Sequence, residues 1–294
     1  MFKEERFSGW YDKNYKILLI IPVIIVLASL IYIGVFYAQN GDIMYKDVSL
    51  KGGTSMTIDG NVDTTSLEKN LPSYFSDVSF RKLTDVTTGN KVALIIEASA
   101  KPEELKAKIS ELGVNLTDEN SSTEFTGPSL SAGFYKQLMI ALVISFVLMS
   151  CVIFLLFKSF IPSIAVIFAA FSDILIPLVI LDMFGVTISS AGIAAFLMLI
   201  GYSVDTDILL TTRALKKVEG TLNHRIFGAF STGMMMTGTA LAAVLPAFLI
   251  ISGLPDSFRQ IFLILSLGLF VDIFSTWLTN ASIIKWYCIK HNIK

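Results

Sequence analysis

The sequence predicts a polytopic α-helical membrane protein with six transmembrane helices and an α+β domain between the first and second. Three observations carry that prediction. Of 294 residues, 53% are hydrophobic and only 16% charged, with a mean hydropathy of +0.67. Soluble domains of this length usually approach a quarter charged. Apolar stretches long enough to cross a bilayer, about 20 residues each, fall at 17–38, 134–157, 161–182, 187–211, 226–252 and 257–284. Between the first two lies a polar segment, 39–133, whose patterning is that of alternating strands and amphipathic helices.

The first apolar stretch follows Lys13 and Lys16 but is longer than the apolar core of a signal peptide, so it reads as an uncleaved anchor. Basic residues then set orientation. Residues 1–16 carry Lys3, Arg6, Lys13 and Lys16, and the turn after span two carries Lys158. The loop after span four carries Arg213, Lys216, Lys217 and Arg225, and the tail 285–294 carries Lys285, Lys290 and Lys294. Six spans put all of these on one side, whereas the loop near 182–187 has no Lys or Arg. Both termini are therefore expected to be cytoplasmic, residues 39–133 extracytoplasmic, and 134–284 a five-helix membrane bundle.

In the insert, SMTID (55–59) predicts a strand and TSLEKNL (65–71) a helix, with Thr65 and Glu68 spaced as a capping box. A strand near 77–84, the turn TTGN (87–90) and the strand KVALIIE (91–97) predict a hairpin. Pro102 opens the helix PEELKAKISEL, which Gly113 closes, and either 114–118 or 122–126 supplies the last strand. The order β-α-β-β-α-β suggests a ferredoxin-like sandwich. Gly52, Gly53 and Thr54 read as a turn entering the first strand, since the motif is too short for a phosphate loop.

Composition excludes several functions. Two cysteines, Cys151 and Cys288, and two histidines supply no disulfide framework, and no metal or cofactor is assigned. No basic patch suggests nucleic acid. No nucleophile, base and orienting group occur together, so an enzyme is not expected.

The chemistry-bearing residues lie within the spans. Asp173, Asp205, Asp207 and Asp272 fall at membrane depth, where an isolated charge costs roughly 2.5–3.5 kcal/mol even on insertion scales. At 100° per residue Asp205 and Asp207 point about 200° apart. Asp205 shares a face with Gly201 and Thr212, and Asp207 with Ser203 and Thr211. Arg213 stands about 12 Å along the axis from Asp205, so it either snorkels or meets a carboxylate on another helix. Span five offers Ser231, Thr232, Gly238 and Thr239 as a small, hydroxyl-bearing seam. Span six offers Asp272, Ser275, Thr276 and Thr279. Each acid also has a structural reading, as a hydrogen-bonded strut between helices.

These residues carry a family resemblance. One helix, an external domain and five further helices resemble half of a resistance-nodulation-division transporter, and more closely the SecD/SecF accessory proteins of the Sec translocon. LKGGTSM (50–56) resembles the Gly-Gly motif after their first span, and GPSLSAG (127–133) the Gly-Pro segment before their second. SDILIPL (172–178) and GYSVDTDILLTTR (201–213) are similar to their acidic motifs in spans three and four. A single six-span length and the SLKGGT wording are similar to the SecF branch in its archaeal form. The chain departs from the pattern at Ser172, where a histidine is frequent, at Asp205–Thr206, where SecF-like chains commonly have Asn then Asp and Asp207 follows here, and at Asp272, where many have Gly.

The resemblance implies an accessory subunit of protein export in the cell membrane, embedded in the lipid bilayer beside a SecD-like subunit and a SecY-type channel. The external domain would engage the translocating polypeptide. Asp205 or Asp207 would carry protons, with Arg213 tuning the carrier and Asp173 and Asp272 on the path. A small-molecule or lipid exporter of the wider superfamily and a non-conducting scaffold are the rival expectations.

Overall fold

The computed structural model describes residues 2–60, 64–75, 77–84, 91–215, 220–250 and 256–293. The expected turn at 87–90 and Lys216 and Lys217 lie outside these. Helix α1 runs Phe2–Asn40, so the first span continues a helix that already begins in the basic N-terminal segment. Its 39 residues extend about 58 Å, well beyond the ~30 Å hydrocarbon layer. The bundle then comprises α5 (Pro128–Phe157), α6 (Phe160–Met183), α7 (Ser190–Leu215), α8 (Leu222–Ile250) and α9 (Asp256–Phe274). After α9 the chain winds as a π-helical turn, Ser275–Asn280, and resumes as α10, Ala281–Lys290.

Among the described residues six helices are long and apolar enough to cross a membrane, the sixth being Ser257–Lys290. The expected tail 285–294 is therefore mostly helix. Lys285 is not a surface cation: it is buried in α10, with Nζ 2.5 Å from Asp12 of α1 and 4.4 Å from the Tyr11 ring. Helices α6, α7 and α9 form the inner layer, packed on one another through Leu178, Ile193, Phe196, Leu199 and Ile264. Helices α1 and α5 turn Ile24, Ile31, Val143, Leu148 and Leu155 outward, as lipid-facing helices do.

The polar insert folds as β1 (Gly53–Asp59), α3 (Thr64–Asn70), β2 (Ser79–Thr84), β3 (Lys91–Ala98), α4 (Pro102–Glu111) and β4 (Ser121–Thr126), after a single turn of helix, α2 (Val48–Lys51). The four strands make one sheet, in the order β2-β3-β1-β4, with every neighbouring pair antiparallel. Period-2 alternation aims Met56, Ile58, Leu94 and Ile96 at one face, where Leu67 and Leu71, and Leu105 and Ile109, cover them at helical spacing. The last strand is thus 121–126, and 114–118 is a connection. Thr65 lies inside α3 rather than at its cap, because the helix already begins at Thr64. Gly113 does close α4, at φ +91°, with Val114 N–H donating to the Ile109 carbonyl and Gly113 N–H to that of Ser110. That is the paired bonding of a Schellman stop.

The other sheet face joins a small apolar cluster, Leu83, Ala93 and Ile95, to polar side chains, and turns toward the bundle across a cavity of about 120 Å³ lined by Asp47, Ser55, Arg81, Glu97 and Gln260 among others. Domain and bundle are tied there by hydrogen bonds. Arg81 Nη2 of β2 donates to Thr187 Oγ1 in the α6–α7 connection at 3.1 Å, and Gln260 of α9 steadies that connection by donating Nε2 to the Thr187 carbonyl at 2.6 Å. Asp47 caps α2 through Ser49 N–H at 2.9 Å, and Ser49 Oγ accepts Ser190 N–H, at the start of α7, at 2.9 Å. Burial raises the Asp47 carboxyl to about 6, reinforced by Glu97 and opposed by its Ser49 hydrogen bonds.

The sign of the pH effect follows. An acid that holds its proton more tightly when folded lets the native state bind more protons than the unfolded chain between pH ~4 and 6, so stability falls as pH rises through that window. The penalty reaches at most roughly 3 kcal/mol above it. Asp47→Asn is expected to raise the melting temperature at pH 7.5, with the gain vanishing near pH 4. Melting curves across pH 4–8 in detergent check this, and an equal gain at both ends would contradict it.

The Gly52–Gly53 turn sits where β1 leaves the bundle. Gly52 has φ +86°, and a Cβ there would stand 2.5 Å from the Pro128 Cα at the start of α5. A Cβ on Gly53 would overlap the Ala98 carbonyl. Thr54 is buried and donates to the Ala100 carbonyl at 2.6 Å. The two segments read separately from sequence, 50–56 and 127–133, are one contact.

Candidate functional site

At the centre of the bundle, Asp173 of α6, Asp207 of α7 and Asp272 of α9 converge. Each is at most 1% exposed, and one carboxylate oxygen from each lies within 4.8 Å of the others. Helix geometry brings them together: each acid lies on the polar stripe its helix turns inward, and burying three helices against one another joins the stripes.

The surrounding groups are neutral. Ser203 Oγ and Ser275 Oγ both donate to Asp173, the latter at 2.5 Å. Thr206 and Thr237 donate to Asp272 Oδ2, each at 3.3 Å. Thr276 Oγ1 lies 3.0 Å from Asp207 Oδ1 and 3.1 Å from Asp272 Oδ1, bridging the two acids. Asn280 Nδ2 donates to Asp207 Oδ1 at 2.7 Å. Asp207 Oδ2 and Asn280 Oδ1 are buried without a partner among the described residues.

None of these partners carries positive charge. Two carboxylates ionised at this separation repel by about 3–4 kcal/mol at an effective dielectric of 20. Full ionisation of all three is therefore opposed unless protons or a cation are held between them. The sequence assigns no metal; the structure nevertheless arranges three acid oxygens in a way that suits one hard cation as well as shared protons.

The other residues singled out from sequence separate into those at the centre and those elsewhere. Ser203, Thr211, Ser275 and Thr276 are fully buried around the acids. Asp205 is exposed on the opposite face of α7, beside the exposed Gly201 and Tyr202, as the 200° separation requires. Among the described residues Arg213 meets no carboxylate: Nη1 donates to the Gly228 carbonyl at 2.7 Å and to Thr232 Oγ1 at 3.0 Å, fastening α7 to α8. The expected span-five seam is corrected. Ser231, Gly238 and Thr239 face outward, and the inward stripe is Ala229, Gly233 and Thr237, four residues apart. Spacings of three, four and seven fit several helical faces; only packing against α9 selects one.

Sequence reading missed Thr206, Thr237 and Asn280. Asn280 was signalled by the run Asp272, Thr276, Asn280 at four-residue steps. The π-helical turn brings Ser275, Thr276 and Asn280 to the acids together, a widening that frequently accompanies functional sites.

A six-helix membrane protein with a small extramembrane α+β domain and a buried triad of acids defines the class: a polytopic protein whose bundle carries titratable groups at its core. A family model described as "Protein export membrane protein SecD/SecF, C-terminal" matches residues 105–290. The chain belongs to the SecD/SecF family of protein-export membrane proteins. It is 35% identical over 287 residues to protein-export membrane protein SecF of Methanolacinia petrolearia, covering 95% of this chain and 97% of that one. It is 36% identical to the SecF of Methanothermobacter thermautotrophicus, with 94% and 93% covered. In fold it is similar to the crystal structure of SecDF, a translocon-associated membrane protein from Thermus thermophilus, with a TM-score of 0.74 at 19% identity. That match covers 94% of this chain but 38% of the SecDF chain, so this chain spans a little over a third of that protein's length.

Proposed function

We propose that this chain is an accessory subunit of the Sec protein-export machinery, in which protonation of the Asp173–Asp207–Asp272 triad drives a change in helix packing that moves the external domain. The carrying observation is the triad itself: three buried acids with neutral partners, set at the junction of α6, α7 and α9. Adding or removing a proton changes which hydroxyls can donate to which carboxylate, and so biases two arrangements of the inner helices. Both α7, through Ser190, and α9, through Gln260, reach the polar junction beneath the sheet, so their motion is felt by the domain.

The insert within 39–133 carries a ferredoxin-like sandwich, built from β1 to β4 with α3 and α4, on the extracytoplasmic side of the cell membrane, with the chain termini cytoplasmic. The split order β2-β3-β1-β4 and the basic residues Lys13, Lys16, Lys158 and Lys290 support that reading. The partner is a SecD-like subunit that completes a twelve-helix assembly beside a SecY-type channel. Asp205 supports it. A carboxylate on the outer face of α7 at membrane depth is costly against lipid, and a second bundle packed on that face would cover it. The domain then handles the emerging polypeptide.

The test pairs two measurements. Photo-cross-linkers at Gly201 and Tyr202 in native membranes should capture a SecD-like chain, and deleting this chain should slow export into inverted vesicles. Cross-links to lipid alone, with export at the wild-type rate, would overturn the proposal.

A further inference from the structure

The triad is closed on both sides by a large side chain seated on a glycine. Toward the soluble domain, Leu199 of α7 is fully buried over Gly268 of α9, and a Cβ built on Gly268 would overlap both Leu199 methyl groups. Each partner stands one helical turn, about 6 Å, before a residue of the acid site: Leu199 before Ser203, which donates to Asp173, and Gly268 before Asp272. Phe196, Ile264 and Leu265 complete an apolar layer between the acids and the polar junction at Gln260.

On the far side the arrangement repeats with different residues. A Cβ on Gly233 of α8 would stand 2.6 Å from Trp277 Cζ2 and 2.8 Å from Thr206 Cγ2. Gly233 lies one turn before Thr237, which donates to Asp272. Beyond Trp277, Leu210, Ala214, Ile226 and Ile284 make a second apolar layer.

We infer that Leu199 on Gly268 and Trp277 on Gly233 are the two gates of the acid site, one toward the soluble domain and one toward the opposite surface. Both knobs are held by packing alone. Leu199 has no polar atom, and the Trp277 indole N–H is buried without an acceptor among the described residues. Helix separation at either glycine therefore breaks no hydrogen bond of the knob. With both seated, the acids are shut off from water on both sides, so a group loaded from one side leaves to the other only after a change of packing. The inference takes its purpose from the proton-transfer proposal, while the gate positions stand on geometry.

Site-directed accessibility tests it. In the full chain with Cys151→Ser and Cys288→Ala, Ser203→Cys is the reporter, treated with a membrane-impermeant thiol reagent in sealed vesicles of either orientation. The reporter alone should resist labelling from both sides. Adding Leu199→Ser, which leaves a roomy and polar gap that water can enter, should give labelling from the domain side only. Adding Trp277→Ser should give it from the far side only. Labelling from the wrong side, from both sides or from neither in the two variants would overturn the gates.

A volume-conserving pair guards against misfolding. Gly268→Ala should displace Leu199 and open the domain side, and combining it with Leu199→Val, which removes the one carbon that was added, should close it again. Failure of the second change to restore protection counts against the seat. Asp207→Asn on the Leu199→Ser background separates the two ideas. It should abolish proton flux if the triad carries protons and leave side-selective labelling unchanged if the gates are placed correctly.

Discussion

Asp207→Asn is expected to lower export by on the order of 5–150-fold, the range that corresponds to losing 1–3 kcal/mol of coupling, while Asp205→Asn leaves it near wild type. The two acids stand two residues apart in sequence and differ completely in surroundings. Asp207 is fully buried, accepts from Thr276 and Asn280, and lies among Asp173 and Asp272. Asp205 is on the outer face. Asparagine keeps the shape and one acceptor oxygen of a neutral aspartic acid, so the bundle should still fold, fixed in the equivalent of its protonated form. Export of a secreted substrate into vesicles, with proton flux followed by a pH-sensitive dye, measures both parts. Equal losses in the two variants would remove the buried triad from the mechanism and return the choice of carrier to an open question.

Gly52→Val is expected to cost about 2–5 kcal/mol, combining a positive-φ penalty for a branched residue with overpacking against fixed backbone. The nearest atoms to a new Cβ are Pro128 Cα and N, at 2.5 and 2.8 Å, and neither can rotate away. The loss should appear as a lower melting temperature and as faster proteolysis at the junction between the domain and α5. Gly60→Val serves as the comparison, because Gly60 also has positive φ, +99°, but nothing within 4 Å of its Cβ position. If the two variants melt alike, the close approach to Pro128 is not what the Gly52–Gly53 turn provides.

Much of the architecture was legible because its determinants are local. Six apolar runs announced six helices, and the alternation in 91–97 and the Pro102 to Gly113 punctuation announced a strand and a helix. The opposed faces of Asp205 and Asp207 followed from 100° per residue and needed no neighbour. The limits were equally physical. Whether 114–118 or 122–126 formed the fourth strand depended on which segment could pair with β1, a contact across 63 to 73 residues.

The acid site was decided at a longer range still. Asp173, Asp207 and Asp272 are 34 and 65 residues apart, on three helices whose relative rotation no single helix encodes. By itself the sequence determined which residues share a face of a given helix: Asp205 with Gly201 and Thr212, Asp207 with Ser203 and Thr211, Asp272 with Thr276. Only the tertiary structure decided that these stripes meet Asp173 at one point, that Arg213 turns to α8 instead, and that span five presents Ala229, Gly233 and Thr237 rather than Ser231 and Thr239. The reason is that periodicity sets the angle between residues on one helix, whereas close packing sets the angle between helices, and a glycine that admits Leu199 or Trp277 fixes it.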